Sequence, residues 1–256
     1  MTLPLEASSI NVAIHGTLPE RTYQQLRTMI VRGRVAPGVR IMEQEVALKF
    51  GVSRTPVREA IARLVQEGYL NPIGGRRRTE VAVAPLSGDG VRELWGMIGA
   101  IEGFAVRATS RLPPARRELL AIDLARLNDE LRAASTARPR NFDRLFELQA
   151  AFHQRFVDET AGQHLLSVYA ILRPQVQRYE WVYGTRLDAE YEPSATEHVR
   201  IISAIRSGDG EKARHAVETH WERAAIRTVA IIDGLDQHAA PRRKDKSRAA
   251  PHLRQR

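Results

Sequence analysis

Two groups of side chains in this 256-residue chain have the types and spacings that chemistry needs. The first is a set of imidazoles. His153 follows Gln149 by four residues, so both project from one face of a helix. His198 precedes the apolar stripe Ile201, Ile202 and Ile205, and His220 sits within the stripe Ala213, Val217 and Ala224. Imidazoles pointing inward from separate helices of a bundle are how such folds build metal or anion sites. Three neutral nitrogens suit zinc, nickel, iron or a similar divalent ion, with positions left open for water or a chelating organic acid. An inward histidine is more often a core residue satisfied by a neighbour, and His15, His164, His215, His238 and His252 are read that way or as surface residues. Three histidines plus water can also be catalytic. A metal-dependent enzyme is therefore the alternative reading, although no general base stands in a motif context. No Ser/His/Asp order stands out, and a phosphate-binding loop, Gly-x-Gly-x-x-Gly before a helix and His-Glu-x-x-His are missing from the sequence.

The second group is basic. Arg54 and Arg58 are four apart and share a helical face. A guanidinium fork matches O6 and N7 of guanine, which lysine matches less well. Thr55 can donate to a phosphate or touch a thymine methyl, Gln44 can reach the same backbone from the preceding helix, and Ser53 opens the segment. Gly75 and Arg76 would let a thin basic turn approach the minor groove or adjacent phosphates.

The elements that must hold these residues fall into two blocks. Leu26, Met29 and Ile30 recur at helical spacing from Thr22 to Val31, where Gly33 stops them. After the Pro37-Gly38 turn, a short helix fits Glu43 to Phe50, closed by Gly51 in the left-handed position. A third helix follows, capped by Ser53 or Thr55, with Pro56 in its first turn and Val57, Ile61, Leu64 and Tyr69 apolar. Segments around 71–75 and 79–83 predict two strands joined by Arg76-Arg77-Arg78. Two short helices across a tight turn, the second beginning with polar and basic residues, have helix-turn-helix geometry. Pro85 to Gly90 predicts a linker, and beyond it six helices are expected near 90–110, 115–134, 141–160, 163–184, 192–207 and 210–234.

Charge follows the same division. The net +9 is a surplus of five cations over residues 1–86, a deficit of two over 87–240 and a surplus of six over 241–256. A basic front and a near-neutral middle suggest that one part meets a polyanion and the other does something else. Cysteine is absent, which removes disulfides, thiolate nucleophiles and cysteine-ligated zinc. No apolar run approaches the roughly 20 residues of a membrane helix, and no signal-peptide layout opens the chain. The expectation is a soluble cytoplasmic protein with no membrane partner.

The run from Glu45 to Leu64, with Gly51-Val52-Ser53-Arg54-Thr55-Pro56-Val57-Arg58-Glu59-Ala60 at its centre, and Glu67-Gly68-Tyr69-Leu70 after it, strongly resembles the winged helix-turn-helix of GntR-family transcription regulators. The resemblance implies base and phosphate contacts for Arg54 and Arg58 and a wing tip at Gly75. It also places Gln44 where family members often carry a further DNA-contacting arginine. The all-helical remainder resembles the FCD effector domain of the FadR subgroup, in its six-helix, VanR-like branch. Phe152-His153, Glu197-His198-Val199 and His220 fall at that domain's landmarks, which implies a metal set of His153, His198 and His220. Gln149 stands where metal-binding members usually have aspartate. Ile98, before Glu102, stands where members often have an anion-clamping arginine, with Arg173 and Arg178 as candidate substitutes. The expected fold class is thus mainly α: a winged helix-turn-helix over 18–86 and a six-helix effector-binding and dimerisation domain over 87–236. A flexible arm over 1–17 and a disordered basic tail over 237–256 flank them. The expected protein is a homodimeric regulator on a near-palindromic operator, most simply a repressor, its affinity set by a small metabolite in the helical domain.

Overall fold

The computed structural model describes residues 16–73, 80–184 and 191–239. The front block opens with α1 (Leu18–Val31), which starts earlier than the apolar spacing suggests because Pro19 sits in its first turn, where a missing N–H costs nothing. α2 (Glu43–Phe50) ends at Gly51, whose φ of 65° is the left-handed cap expected there. α3 (Arg54–Gln66) follows directly, with Ser53 as its capping residue and Thr55 inside the first turn. Its cap is geometric only, since the Ser53 side chain makes no capping bond.

Among the described residues, three short strands complete this block: β1 (Arg40–Ile41), β2 (Leu70–Pro72) and β3 (Val81–Val83), antiparallel in the order β1-β3-β2. β1 was not expected; two residues are too few to show an alternation. The segment carrying Gly75 and Arg76 lies outside the described residues. Leu26, Ile30, Val57, Leu64 and Tyr69 meet in a core of their own. Each such aliphatic side chain contributes about 1.5–3 kcal/mol by leaving water.

Among the described residues, six further α-helices form the second block, as the breaks at Pro113-Pro114, Pro139, Gly162 and Gly208 predicted. They are α4 (Gly88–Arg107), α5 (Pro114–Thr136), α6 (Phe142–Thr160), α7 (Gln163–Tyr183), α8 (Tyr191–Ser207) and α9 (Gly210–Ala239), with a 3-10 turn at Ala108–Arg111. The expected linker is partly helical: Ser87 accepts from the Gly90 amide and starts α4 at Gly88. α4 and α9 pack most extensively, and Gly99 is what permits their approach. A Cβ there would stand 3.2 Å from Cβ of Trp221. Val91, Ile98, Leu120, Phe156, Ile201 and Val217 belong to the core these helices share. Among the described residues, no helix is long and apolar enough to cross a membrane.

Candidate effector site and DNA-facing surface

α6, α8 and α9 each deliver one histidine to the middle of the bundle. His153, His198 and His220 are all buried, and one ring nitrogen of each lies within 4.8 Å of the others. Their Nδ1 atoms are taken. His153 lies 2.7 Å from Oε2 of Glu102, His198 3.0 Å from Oδ1 of Asn128, and His220 2.9 Å from Oε2 of Glu197. All three partners are acceptors, so each ring carries its proton on Nδ1 and donates it. The three Nε2 atoms are buried without a hydrogen-bond partner. Burial, reinforced by His220 and cationic neighbours, pushes His153 and His198 well below the usual imidazole range, so both are neutral near pH 7. The Phe152 ring stacks on His198 at 3.7 Å, which fixes the imidazole plane.

Buried nitrogens left without partners are costly, about 1–3 kcal/mol each. Three of them converging, with each opposite nitrogen anchored by an oxygen acceptor, is the arrangement that holds a divalent ion. The cluster could therefore hold a metal ion, with three nitrogen ligands and open positions.

Sequence reasoning noted Glu102 and Glu197 only as landmarks and passed over Asn128. Glu102 is fully buried on α4 and accepts from Tyr169 Oη at 2.9 Å and Trp221 Nε1 at 2.7 Å as well as from His153. Burial raises its pKa to about 7 against the opposing pull of Arg173 and the hydrogen bonds from Trp221 and Tyr169. The signal was an acidic residue inside the apolar stripe Ile98, Ile101 and Ala105. Glu197 behaves oppositely. Burial would raise it, but hydrogen bonds from His220 and Arg227 win and hold it at about 2.

A small cavity of about 60 Å3 reaches His220 and is bordered by Trp95, Gln149, Glu180 and Tyr191. Gln149 Oε1 and Tyr191 Oη are buried there without a partner. Arg173 lies beside it, paired with Glu180 at 3.1 Å and 5.7 Å from the Trp221 ring, with Nε and Nη2 unpartnered. Arg178 is placed elsewhere. Its guanidinium donates to the Ala84 carbonyl, just after β3, and does not border the cavity. The two arginines are five residues apart on α7, so their side chains diverge.

That divergence shows how α7 is used. Besides Arg178, Gln175 donates to the Glu67 carbonyl at the end of α3 (2.5 Å), and Tyr179 Oη accepts from the Ser87 amide (3.3 Å). Trp181 packs on the core of the front block with Arg32 5.2 Å over its ring. The same ring lies 4.4 Å from that of Phe146, which borders the cavity. One helix thus touches both the histidine pocket and the front block.

On that front block, Gln44, Ser53, Arg54, Thr55 and Arg58 are all exposed. Glu43 organises the two arginines: its Oε2 accepts from Nη2 of both Arg54 and Arg58 at 3.1 Å, and Oε1 accepts from Nε of Arg58. Those bonds, Arg58 foremost and against a smaller effect of burial, lower the Glu43 pKa. Glu43 was not anticipated. Gly75 and Arg76 are not among the described residues.

The comparisons with known proteins agree with this division. Residues 18–79 match the family model for bacterial regulatory proteins of the gntR family, and residues 93–223 match that of the FCD domain. The chain is 28% identical to an uncharacterized HTH-type transcriptional regulator, YdhC of Bacillus subtilis, over 78% of this chain and 85% of that protein. It is 27% identical to the HTH-type transcriptional repressor RspR of Escherichia coli, over 84% and 91% respectively. In fold it is similar to E. coli McbR/YncC, with a TM-score of 0.66 at 18% identity over 84% of this chain and 99% of that one. A putative GntR regulator from Rhodococcus gives 0.64 at 20% identity, covering 83% and 97%. With a helix-turn-helix head and an FCD domain that together span most of its length, the chain belongs to the GntR family and is a DNA-binding transcription regulator, not an enzyme.

Proposed function

We propose that this regulator is a homodimeric repressor whose operator affinity responds to a small metabolite held in the helical domain at a divalent ion on His153, His198 and His220. α7 carries this reading, since a single helix borders the pocket and grips the DNA-binding head through Gln175, Arg178 and Trp181. A ligand that shifts Glu180 or Phe146 has differential contacts to offer the two placements of the head, which is what linkage requires. Repression follows the two relatives described as repressors, RspR and the probable repressor of a D-xylose utilization operon in Paenarthrobacter nicotinovorans. Exposed Met97 and Phe104 on α4, with Val168 and Ile171 on α7, supply apolar surface of the kind a second copy buries.

In the head, Arg54 and Arg58 meet base edges and phosphates while Gln44, Ser53 and Thr55 meet phosphates; the wing contact assigned to Gly75 and Arg76 falls outside the described residues. Arg173, with its unpartnered Nε and Nη2, and Gln149 orient the effector. Ile98 stands where members often carry an anion-clamping arginine, so the bound metabolite is a weaker acid than a dicarboxylate.

Selection of duplexes from a random library by the full-length protein tests the reading. Enrichment of a near-palindrome with half-sites one helical turn apart is expected, and it should vanish for Arg58→Ala. Loss of one bidentate base contact costs about 1–3 kcal/mol, or roughly 5–150-fold in affinity. Enrichment of no sequence, or the same sequence with Arg58→Ala, would refute it.

A further inference from the structure

A second concavity lies between α8 and α9, with a volume of about 470 Å3, and the Glu197 carboxylate and one edge of His220 stand in its wall. Its walls carry Arg200 and Ser203 from α8, and Lys212, His215, Thr219 and Arg223 from α9. The α9 residues recur at steps of three and four, so they form one continuous face of that helix. Neighbouring arginines on the same two helices have carboxylate partners: Arg206 with Glu118, Arg214 with Glu211 and Glu218, and Arg227 with Glu197. Arg200, Lys212 and His215 make no ion pair among the described residues. Arg223 reaches only Glu197, at 3.7 Å, a carboxylate already held by Arg227 and His220. Like charges gathered at one concavity repel unless an anion joins them.

We propose that this groove is a second, metal-independent ligand site that takes a phosphate-bearing small molecule. The chemistry favours phosphate over a single carboxylate. Arg200 and Arg223 offer guanidinium forks, Lys212 a point charge and Ser203 and Thr219 hydroxyl donors, more than one carboxylate can use. A phosphate monoester carries about −1.5 to −2 charges and three acceptor oxygens, which matches that set. The volume falls within the range of small-molecule sites, about 300–1,000 Å3. Glu197 lines this groove and accepts from His220, so an occupant that draws Arg223 away from Glu197 acts on the residue that orients His220.

Amide NMR of the full-length protein, titrated with inorganic phosphate at constant ionic strength, tests the site. Saturable shifts are expected at Ser203, Thr219 and Arg223. They should be lost in the double variant Arg200→Ala/Lys212→Ala, whose exposed positions leave the core untouched. The shifts should persist in His153→Ala, so failure of the metal reading and failure of this one are told apart. Non-saturable shifts, shifts undiminished in the double variant, or equal shifts with acetate would overturn the proposal. The same shifts from a random-sequence duplex would assign the groove to DNA backbone and overturn it equally.

Discussion

Zinc should stabilise this protein through three nitrogens that otherwise have nothing to bind. His153, His198 and His220 are buried with Nε2 unpartnered, so the metal-free protein bears about 1–3 kcal/mol for each. At one hundred times its dissociation constant, an ion that binds only the folded state adds about 2.7 kcal/mol. With about 2–4 °C per kcal/mol for a chain of this size, the melting temperature should rise by roughly 5–11 °C. The perturbation that isolates the cause is His198→Phe. Phenylalanine keeps the flat ring that Phe152 stacks against at 3.7 Å and removes the orphaned Nε2. It also strands Asn128 Oδ1, although Asn128 still donates to the Ala195 carbonyl at 3.0 Å. One unpartnered atom is exchanged for another, so the metal-free melting temperature should move little. Differential scanning calorimetry of both proteins after chelator treatment, with and without added zinc, reads the two effects together. An unchanged zinc response in His198→Phe would refute the reasoning, as would a wild-type protein whose melting ignores zinc.

Trp181→Ala removes an aromatic pair with Phe146 worth about 0.5–1.5 kcal/mol and should uncouple head from pocket. Zinc affinity by calorimetry should persist, while any zinc-dependent change in operator affinity, read by fluorescence anisotropy, should collapse toward unity. The Glu197 carboxyl is held at about 2, below the ordinary 4.5. Its folded-state pKa is depressed, so its contribution is full above pH 4.5 and is lost as pH falls toward 2. The melting difference between wild type and Glu197→Gln should therefore be largest near neutrality and shrink through that window in a pH series of thermal melts.

Much of the architecture was legible because it is written in local signals. Gly51 must end α2 where the chain turns left-handed, Ser53 and Pro56 must begin α3, and the apolar side of α3 must face inward at period 3.6. The six helices behind the head followed from proline and glycine breaks between amphipathic stretches. β1 escaped because a two-residue strand has no period, and its existence depends on β3 arriving beside it. The wing residues Gly75 and Arg76 stand where they stood, outside the described structure.

The amino-acid order by itself determined the helix-turn-helix signature, the charged front and three histidines on inward-facing stripes, since each depends on neighbours within a turn or two. Tertiary structure alone decided what those residues do for one another. Glu102, Asn128 and Glu197 come from three different helices to hold the Nδ1 atoms of His153, His198 and His220. Arg173 and Arg178, nearly equivalent candidates on paper, separate into a pocket neighbour and a strut to Ala84. The reason is that a hydrogen bond or an ion pair between distant segments is set by how helices pack, and packing depends on every buried face at once rather than on any one stretch of chain.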